Sequence, residues 1–190
     1  MTSLSWLPNA LCVLRMLLSV PTAWLLLRGE YWLTVAVFFV AAFSDAADGY
    51  LAKQFHWESE LGKALDPLAD KLLLVITFLT LAYLHLVPMW LAVLVVLRDV
   101  VITAGAIAYR VLYGPLTDAA PTLISKVNTL LQIAYVGGVV LAMACGWPWS
   151  WALQLTVWVV ALTTLSSGAD YVLTYSRRAM RQARLKSTRR

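Results

Sequence analysis

Six apolar stretches, each close to the ~20 residues that a helix needs to cross a bilayer, take up most of this 190-residue chain. They run roughly Leu7–Leu27, Trp32–Leu51, Leu68–Leu86, Met89–Val111, Leu123–Ala144 and Trp149–Tyr171. Turn residues separate them: Arg28-Gly29-Glu30, Val87-Pro88, Gly114-Pro115 and Gly146-Trp147-Pro148. In lipid every backbone N–H and C=O must find a partner inside the segment or in a closed barrel, and runs of this length are helices. The expected fold is all-α, an integral membrane protein of six transmembrane helices. The first stretch has no basic leader and no small-residue cleavage site before Arg28, so it reads as a retained helix rather than a signal peptide. Composition agrees: 61% of residues are hydrophobic and 13% charged, with a mean hydropathy of +0.75. A soluble domain carries about 45–50% apolar and about 25% charged residues. Collagen, a disulfide scaffold and a disordered tail are excluded on the same ground.

The net charge of +5 could suggest nucleic acid as a partner, but the distribution speaks against it. Seven of the fifteen cations lie at the C-terminal end: Arg177, Arg178, Arg181, Arg184, Lys186, Arg189 and Arg190. With six spans both termini share one side. That side also receives Lys53, Lys63 and Lys71 and, between the fourth and fifth stretches, Arg110 and Lys126; the far side holds only Arg28. Excess Lys and Arg marks the cytoplasmic face. Both termini are therefore expected in the cytoplasm, with the lipid bilayer rather than nucleic acid as partner and the tail against anionic headgroups. Trp90, Trp147, Trp149 and Trp151 then form an aromatic belt on the far face. The expected division is a six-helix domain over residues 1–175 and a basic cytoplasmic tail over 176–190. Cys12 and Cys145 fall near opposite faces, too far apart for a disulfide.

The acidic residues carry the chemistry. Asp45 and Asp48 are spaced i, i+3 at the end of the second stretch, and Asp66 and Asp70 are spaced i, i+4 at the start of the third. Each spacing puts a pair on one helix face. A thirteen-residue connection, Lys53 to Leu65, lets the two helix ends lie side by side, so that four carboxylates converge. Uncompensated, they would repel and raise one another's pKa. Hard divalent cations remove the conflict: Mg²⁺ takes oxygen ligands and typically combines a few carboxylates with substrate phosphates. The quartet predicts one or two metal ions and a phosphate-bearing substrate. A bland alternative exists for Asp66, as a cap or dipole partner at a helix start. It does not reach Asp45 and Asp48, placed at a helix C-terminus where the dipole disfavours anions. Ionisable groups in membrane helices are costly and mark functional sites. A transporter would place such groups near the midplane and show inverted repeats; this quartet lies at one face and no repeat is visible.

Asp45-Ala46-Ala47-Asp48-Gly49-Tyr50-Leu51-Ala52-Lys53, then eight residues, then Gly62-Lys63-Ala64-Leu65-Asp66-Pro67-Leu68-Ala69-Asp70, resembles the signature of the CDP-alcohol phosphatidyltransferase family. The signature reads D-x2-D-G-x2-A-R-x8-G-x3-D-x3-D, with Lys53 here where Arg is usual. The family's six-helix plan matches as well. The resemblance implies attack of an alcohol hydroxyl on the phosphatidyl phosphorus of CDP-diacylglycerol, with CMP leaving. It implies that Asp45, Asp48, Asp66 and Asp70 hold two Mg²⁺ or Mn²⁺ ions, and that Asp70 is also the general base. Gly49, Ala52 and Lys53 would line the CDP site; small residues let a nucleotide approach the helix, and Lys meets a pyrophosphate as a point charge, without Arg's fork. Pro8-Asn9 and Arg15 resemble the family's opening P-N-x-L-T-x-x-R, with Cys12 in place of Thr. Asn9 touches the nucleotide on that reading, or caps a helix.

Other residues stay open between two readings. Gly62 allows close passage of loop and helix or is an ordinary turn glycine. Arg98-Asp99 is an acceptor-site cation with its neighbour or a buried ion pair. Arg110 and Lys126 bind an acceptor phosphate or follow the positive-inside bias. His56 and His85 read as interfacial residues, Glu58 and Glu60 as a solvated loop face. For the acceptor, glycerol-3-phosphate enzymes of the family often carry G-K-x-K-T where this chain has Ser125-Lys126-Val127-Asn128-Thr129. One cation has become an amide, which favours a singly charged diester. With Tyr109-Arg110 and Leu162-Thr163-Thr164, the pattern resembles cardiolipin synthases of the eukaryotic type. The resemblance implies phosphatidylglycerol as acceptor, with glycerol-3-phosphate as the alternative, a homodimer, and a bacterial inner membrane with the site at its cytoplasmic face.

Overall fold

The turn residues of the sequence are where the helices end. Among the residues described by the computed structural model, 7–55, 60–113, 122–147 and 151–188, the chain is all-helical. The helices are α1 (Leu7–Leu27), α2 (Tyr31–Phe55), α3 (Glu60–Tyr83), α4 (Met89–Tyr113), α5 (Leu123–Ala144) and α6 (Trp151–Thr188). Side chains of 7–9, 11, 45–55, 60–70, 109–113, 175 and 177–188 lie outside the description. Three helical segments are long and apolar enough to cross a membrane: Met89–Ala108, Leu123–Ala144 and Trp151–Thr174. Shorter apolar segments run over Cys12–Leu27, Tyr31–Ser44 and Lys71–Tyr83.

Three helices close in the same way. After α1, the Gly29 N–H donates to the Leu26 carbonyl at 3.0 Å and Glu30 to Leu25 at 3.0 Å. After α3, His85 donates to Ala82 at 3.1 Å and Leu86 to Leu81 at 2.9 Å; after α5, Gly146 donates to Met143 at 3.2 Å and Trp147 to Ala142 at 2.9 Å. Each is a Schellman closure, which needs a left-handed residue just past the helix. Gly29 has φ 74° and Gly146 φ 65°, free of the Cβ penalty, whereas His85 takes φ 57° with a side chain. These tight reversals make successive helices antiparallel. At its start α5 is capped by Thr122, whose Oγ1 accepts from the Ser125 N–H at 3.3 Å.

Packing closes a ring. Helix α1 lies against α2 and α3, α2 against α5, α5 against α6, α6 against α4, and α4 against α3. The interior is filled by Phe38, Phe78, Leu81, Leu91, Val95, Tyr135, Val136, Val139, Val157 and Val160. The Phe78 and Tyr135 rings stack at 6.1 Å. Helix α6 packs closely on α4 at Gly105, where a Cβ would come within 3.1 Å of the Tyr171 ring. The polarity is inverted relative to a soluble protein. Leu17, Val20, Phe43, Leu97, Leu130 and Leu162 are more than half exposed, while Arg15, Arg98, Asp99, Asn128, Gln132 and Thr164 are buried. An apolar belt of that extent needs a partner other than water.

The spans over Leu7–Leu27 and Leu123–Ala144 agree with the sequence reading to the residue. The connection expected over Lys53 to Leu65 does not: α2 continues to Phe55 and α3 begins at Glu60, so only 56–59 separate them. Hydropathy sees the membrane-buried part of a helix and misses charged turns that extend it. Two local arguments change in consequence. Asp66 is the seventh residue of α3 and cannot be its N-cap, and Asp45 and Asp48 precede the end of α2 by two to three turns rather than standing at its C-terminus. Asn9, third residue of α1, is not an N-cap either. Glu60 opens α3 instead of lying in a loop; His56 and Glu58 lie outside the described residues. No backbone break marks residue 175, since α6 runs on to Thr188. No disulfide joins Cys12, buried in α1, to the exposed Cys145. Trp90, Trp147 and Trp151 are all exposed at the end that carries the Schellman turns; Trp149 lies outside the described residues.

The left-handed positions give a test by thermal unfolding in detergent. Gly146→Ala should destabilise by roughly 1 kcal/mol, the cost of placing a Cβ at positive φ. His85→Gly should raise stability or leave it unchanged, and a clear loss would show that the His85 side chain holds this turn by contacts of its own.

Candidate active site

The four aspartates sit on helical backbone, Asp45 and Asp48 in α2 and Asp66 and Asp70 in α3, with Gly49, Ala52 and Lys53 further along α2. Their side chains fall outside the description, but the next turns inward do not. Ala42, three residues before Asp45, and Leu73 and Leu74, three and four after Asp70, line one cavity of about 50 Å³. Residues spaced in this way share a helix face. Ala42 of α2 and Leu73 and Leu74 of α3 thus share one cavity, about one turn along each helix from Asp45 and Asp70. Phe38 of α2, Thr129 and Ile133 of α5 and Arg15 of α1 complete the lining. Arg15 is 1% exposed, so a permanent positive charge is built in one turn below the acidic end.

A second polar centre lies at the same end, across α3 to α6. Arg98 of α4 is 7% exposed. Its Nη1 donates to Asp99 Oδ1 at 2.6 Å, and its Nη2 donates to Ser125 Oγ of α5 at 2.7 Å and to Ser167 Oγ of α6 at 2.5 Å. Lys71 of α3, the residue after Asp70, reaches the same group. Its Nζ donates to Thr103 Oγ1 at 2.8 Å and to the Asp99 carbonyl at 3.4 Å, and stands 3.9 Å from Asp99 Oδ1. A buried charge is tolerable when its partner and its hydrogen bonds are in place, and this cluster joins four helices to provide them. Of the two readings left open for Arg98, the geometry is that of the buried ion pair, with Nε lacking a hydrogen-bond partner among the described residues.

One turn deeper, α5 and α6 are laddered. Thr164 Oγ1 donates to Asn128 Oδ1 at 2.9 Å and accepts from Gln132 Nε2 at 3.2 Å. Asn128 is 0% exposed, and its Nδ2 has no hydrogen-bond partner among the described residues. Its amide belongs to helix packing, so counting charge at position 128 does not by itself read the acceptor. The sequence reading placed Lys71 on this side without giving it a role, and did not single out Thr103, Gln132 or Ser167. A signal was present: Ser125, Asn128 and Gln132 at i, i+3, i+7 and Thr164 and Ser167 at i, i+3 are polar residues on one face of apolar spans, and such residues glue membrane helices together.

The remaining candidates divide simply. Lys126 is exposed in the first turn of α5. Arg110 lies in α4 and Asn9 in α1, with side chains outside the described residues. Among the described residues no group of three or more His, Cys, Asp or Glu comes together. The acidic quartet is therefore the donor set to weigh for a metal. It is all carboxylate, with no sulfur or imidazole in its pattern, which suits Mg²⁺ or Mn²⁺.

A sequence profile described as CDP-alcohol phosphatidyltransferase matches residues 5–166. Rat cardiolipin synthase (CMP-forming) is 34% identical over 180 residues, covering 87% of this chain and 60% of the relative. The Bacillus subtilis CDP-diacylglycerol–glycerol-3-phosphate 3-phosphatidyltransferase is 30% identical over 139 residues, covering 71% of this chain and 69% of that protein. Streptomyces coelicolor cardiolipin synthase (CMP-forming) is 30% identical over 173 residues, covering 82% of this chain and 80% of that protein. The chain thus spans about six-tenths of the length of the rat relative.

The ladder predicts the cost of breaking it. Thr164→Val keeps the shape and strips both hydrogen bonds, leaving Asn128 and Gln132 buried without partners, and should lower stability by about 1–3 kcal/mol. Asn128→Lys should be worse, since it forces a cation among those groups. Thermal unfolding in detergent measures both; a neutral Thr164→Val would show that the ladder carries no stability.

Proposed function

The chain belongs to the CDP-alcohol phosphatidyltransferase family, and from that premise we propose that it is a metal-dependent phosphatidyltransferase of phospholipid synthesis. It transfers the phosphatidyl group of CDP-diacylglycerol to an alcohol and releases CMP. The observation that supports this reading is the cavity shared by Ala42 of α2 and Leu73 and Leu74 of α3, about one turn along each helix from Asp45 and Asp70, with Arg15 in its lining. Asp45, Asp48, Asp66 and Asp70 would hold one or two Mg²⁺ or Mn²⁺ ions, whose chemistry when bound is to neutralise and polarise the pyrophosphate. Gly49, Ala52, Lys53 and Asn9 border the nucleotide. Asp70 takes the proton of the acceptor hydroxyl; the hydroxyl oxygen bonds to the lipid phosphorus as the pyrophosphate P–O bond breaks, and CMP keeps the bridging oxygen. Lys126 and Arg110 meet the acceptor phosphate. Arg98, tied to Asp99, Ser125 and Ser167, acts on that site by fixing α4 against α5 and α6.

The proposed acceptor is phosphatidylglycerol, giving cardiolipin. Its support is the 34% identity with a protein named cardiolipin synthase over 87% of this chain. Glycerol-3-phosphate is the second reading, supported by the 30% identity with the Bacillus subtilis enzyme. The proposed placement is a membrane crossed by all six helices, with both termini and the aspartates on the cytoplasmic side. It is supported by the apolar belt and by the crowding of Lys and Arg at one end. The relatives come from an animal as well as from bacteria, so they support a membrane without selecting the bacterial inner membrane. A homodimer completes the proposal by family likeness.

Purified protein given CDP-diacylglycerol and each acceptor should release CMP, with the lipid product identified by mass. Cardiolipin should dominate; phosphatidylglycerophosphate without cardiolipin would install the second reading. Chelation should abolish turnover, and Mg²⁺ or Mn²⁺ should restore it. Asp70→Asn should slow the reaction by roughly 10²–10⁴ while retaining CDP-diacylglycerol binding better than Asp66→Asn. Near-normal turnover by Asp70→Asn would remove the assigned base.

A further inference from the structure

The cation nearest in sequence to the proposed metal ligands is Lys71, directly after Asp70. Consecutive residues of a helix diverge by about 100°, which leaves a four-carbon stem free to choose its direction. An ammonium beside clustered carboxylates is an internal counter-ion: it satisfies the charge that would otherwise draw a divalent cation. Here the side chain is committed elsewhere. Its Nζ is taken up by Thr103 Oγ1 at 2.8 Å and the Asp99 carbonyl at 3.4 Å, with Asp99 Oδ1 at 3.9 Å, all on α4. The Lys71 side chain is 31% exposed, so the arrangement is not forced by burial alone.

We propose that Thr103 and Asp99 are positioning residues that hold the Lys71 ammonium on α4, and so keep a competing cation off the carboxylates of Asp66 and Asp70. The inference rests on the reading of those carboxylates as metal ligands. Asp99 is the harder half to test, because its carboxylate also answers buried Arg98, and its removal endangers folding. Thr103 is the cleaner handle: it is exposed, and its hydroxyl donates or accepts only in this contact among the described residues.

The logic separates electrostatics from packing. Thr103→Val and Lys71→Met both destroy the α3–α4 hydrogen bond, so a purely structural tie predicts the same effect from either. A guard predicts opposite behaviour, because Thr103→Val releases the cation and Lys71→Met removes it. The measurement is direct Mn²⁺ binding to the purified protein, followed by loss of the free-ion electron paramagnetic resonance signal, with no turnover involved. Thr103→Val should weaken Mn²⁺ binding roughly threefold or more, the range of a partly solvated charge pair. Thr103→Ser, which keeps the hydroxyl, should bind as wild type does. Lys71→Met should bind at least as tightly as wild type, and Thr103→Val/Lys71→Met should recover wild-type affinity. Wild-type affinity in Thr103→Val, or a double variant as weak as the single, overturns the guard while the metal reading stands. A wild-type protein that binds no Mn²⁺ overturns the metal reading itself, and the guard with it.

Discussion

A full positive charge enclosed in a bundle whose outer wall is apolar must be answered locally, and the Arg98 guanidinium is answered by three helices at once. Its partners come from α4, α5 and α6, and Lys71 brings α3 to the same carboxylate. The penalty for burying such an ion is several kcal/mol before its partners are counted. Register between these helices therefore cannot slide without exposing that cost. Apolar contact alone would not give the same definition, because lipid tails compete equally well for any Leu or Val face. The Asn128–Thr164–Gln132 ladder repeats the device one turn deeper, between α5 and α6.

The two ends of the bundle are built to different rules. One end is closed by three Schellman turns after α1, α3 and α5, with exposed Trp90, Trp147 and Trp151 around them. Backbone groups satisfy one another there, and few ionisable side chains are needed. At the other end buried Arg15, Arg98 and Asp99 stand within a turn or two of the aspartate-bearing segments of α2 and α3. Polar chemistry is concentrated where the helix ends themselves carry cations, Lys53, Lys63, Arg110 and Lys126. A charged substrate at a membrane surface is best met from such an end, since its phosphates need not enter the apolar belt.

Much of this was legible in the sequence, for physical reasons that can be named. Apolar length marked six helices, and Gly29 and Gly146 marked two ends to the residue because a left-handed closure wants glycine. The end of α3 was read three residues late, at Leu86 rather than Tyr83, because His85 fills the left-handed position with no sequence signal for it. The start of α3 was read eight residues late, since Glu60 and Lys63 suit an exposed helix yet lower hydropathy. At the proposed site, the motif spacing named the four aspartates as candidates, but it could not say that Lys71 turns to α4. Asn128 shows the opposite failure. It was read as a missing charge at the acceptor site, and it is a buried rung between helices. Sequence position names a neighbour along the chain, whereas the partner of a buried polar group is set by the helix across from it.

The short connection between α2 and α3 has a further consequence for how the proposed ligands are held. A long loop would have let each pair of aspartates adjust independently. With only residues 56–59 between the helices, both pairs ride on helical backbone, and their separation follows from how α2 and α3 each pack on α1. Helix α1 is then the reference against which the acidic end is assembled, and Arg15 is the residue of α1 that stands at the junction. A donor set mounted on rigid elements suits a small, hard cation that demands defined geometry.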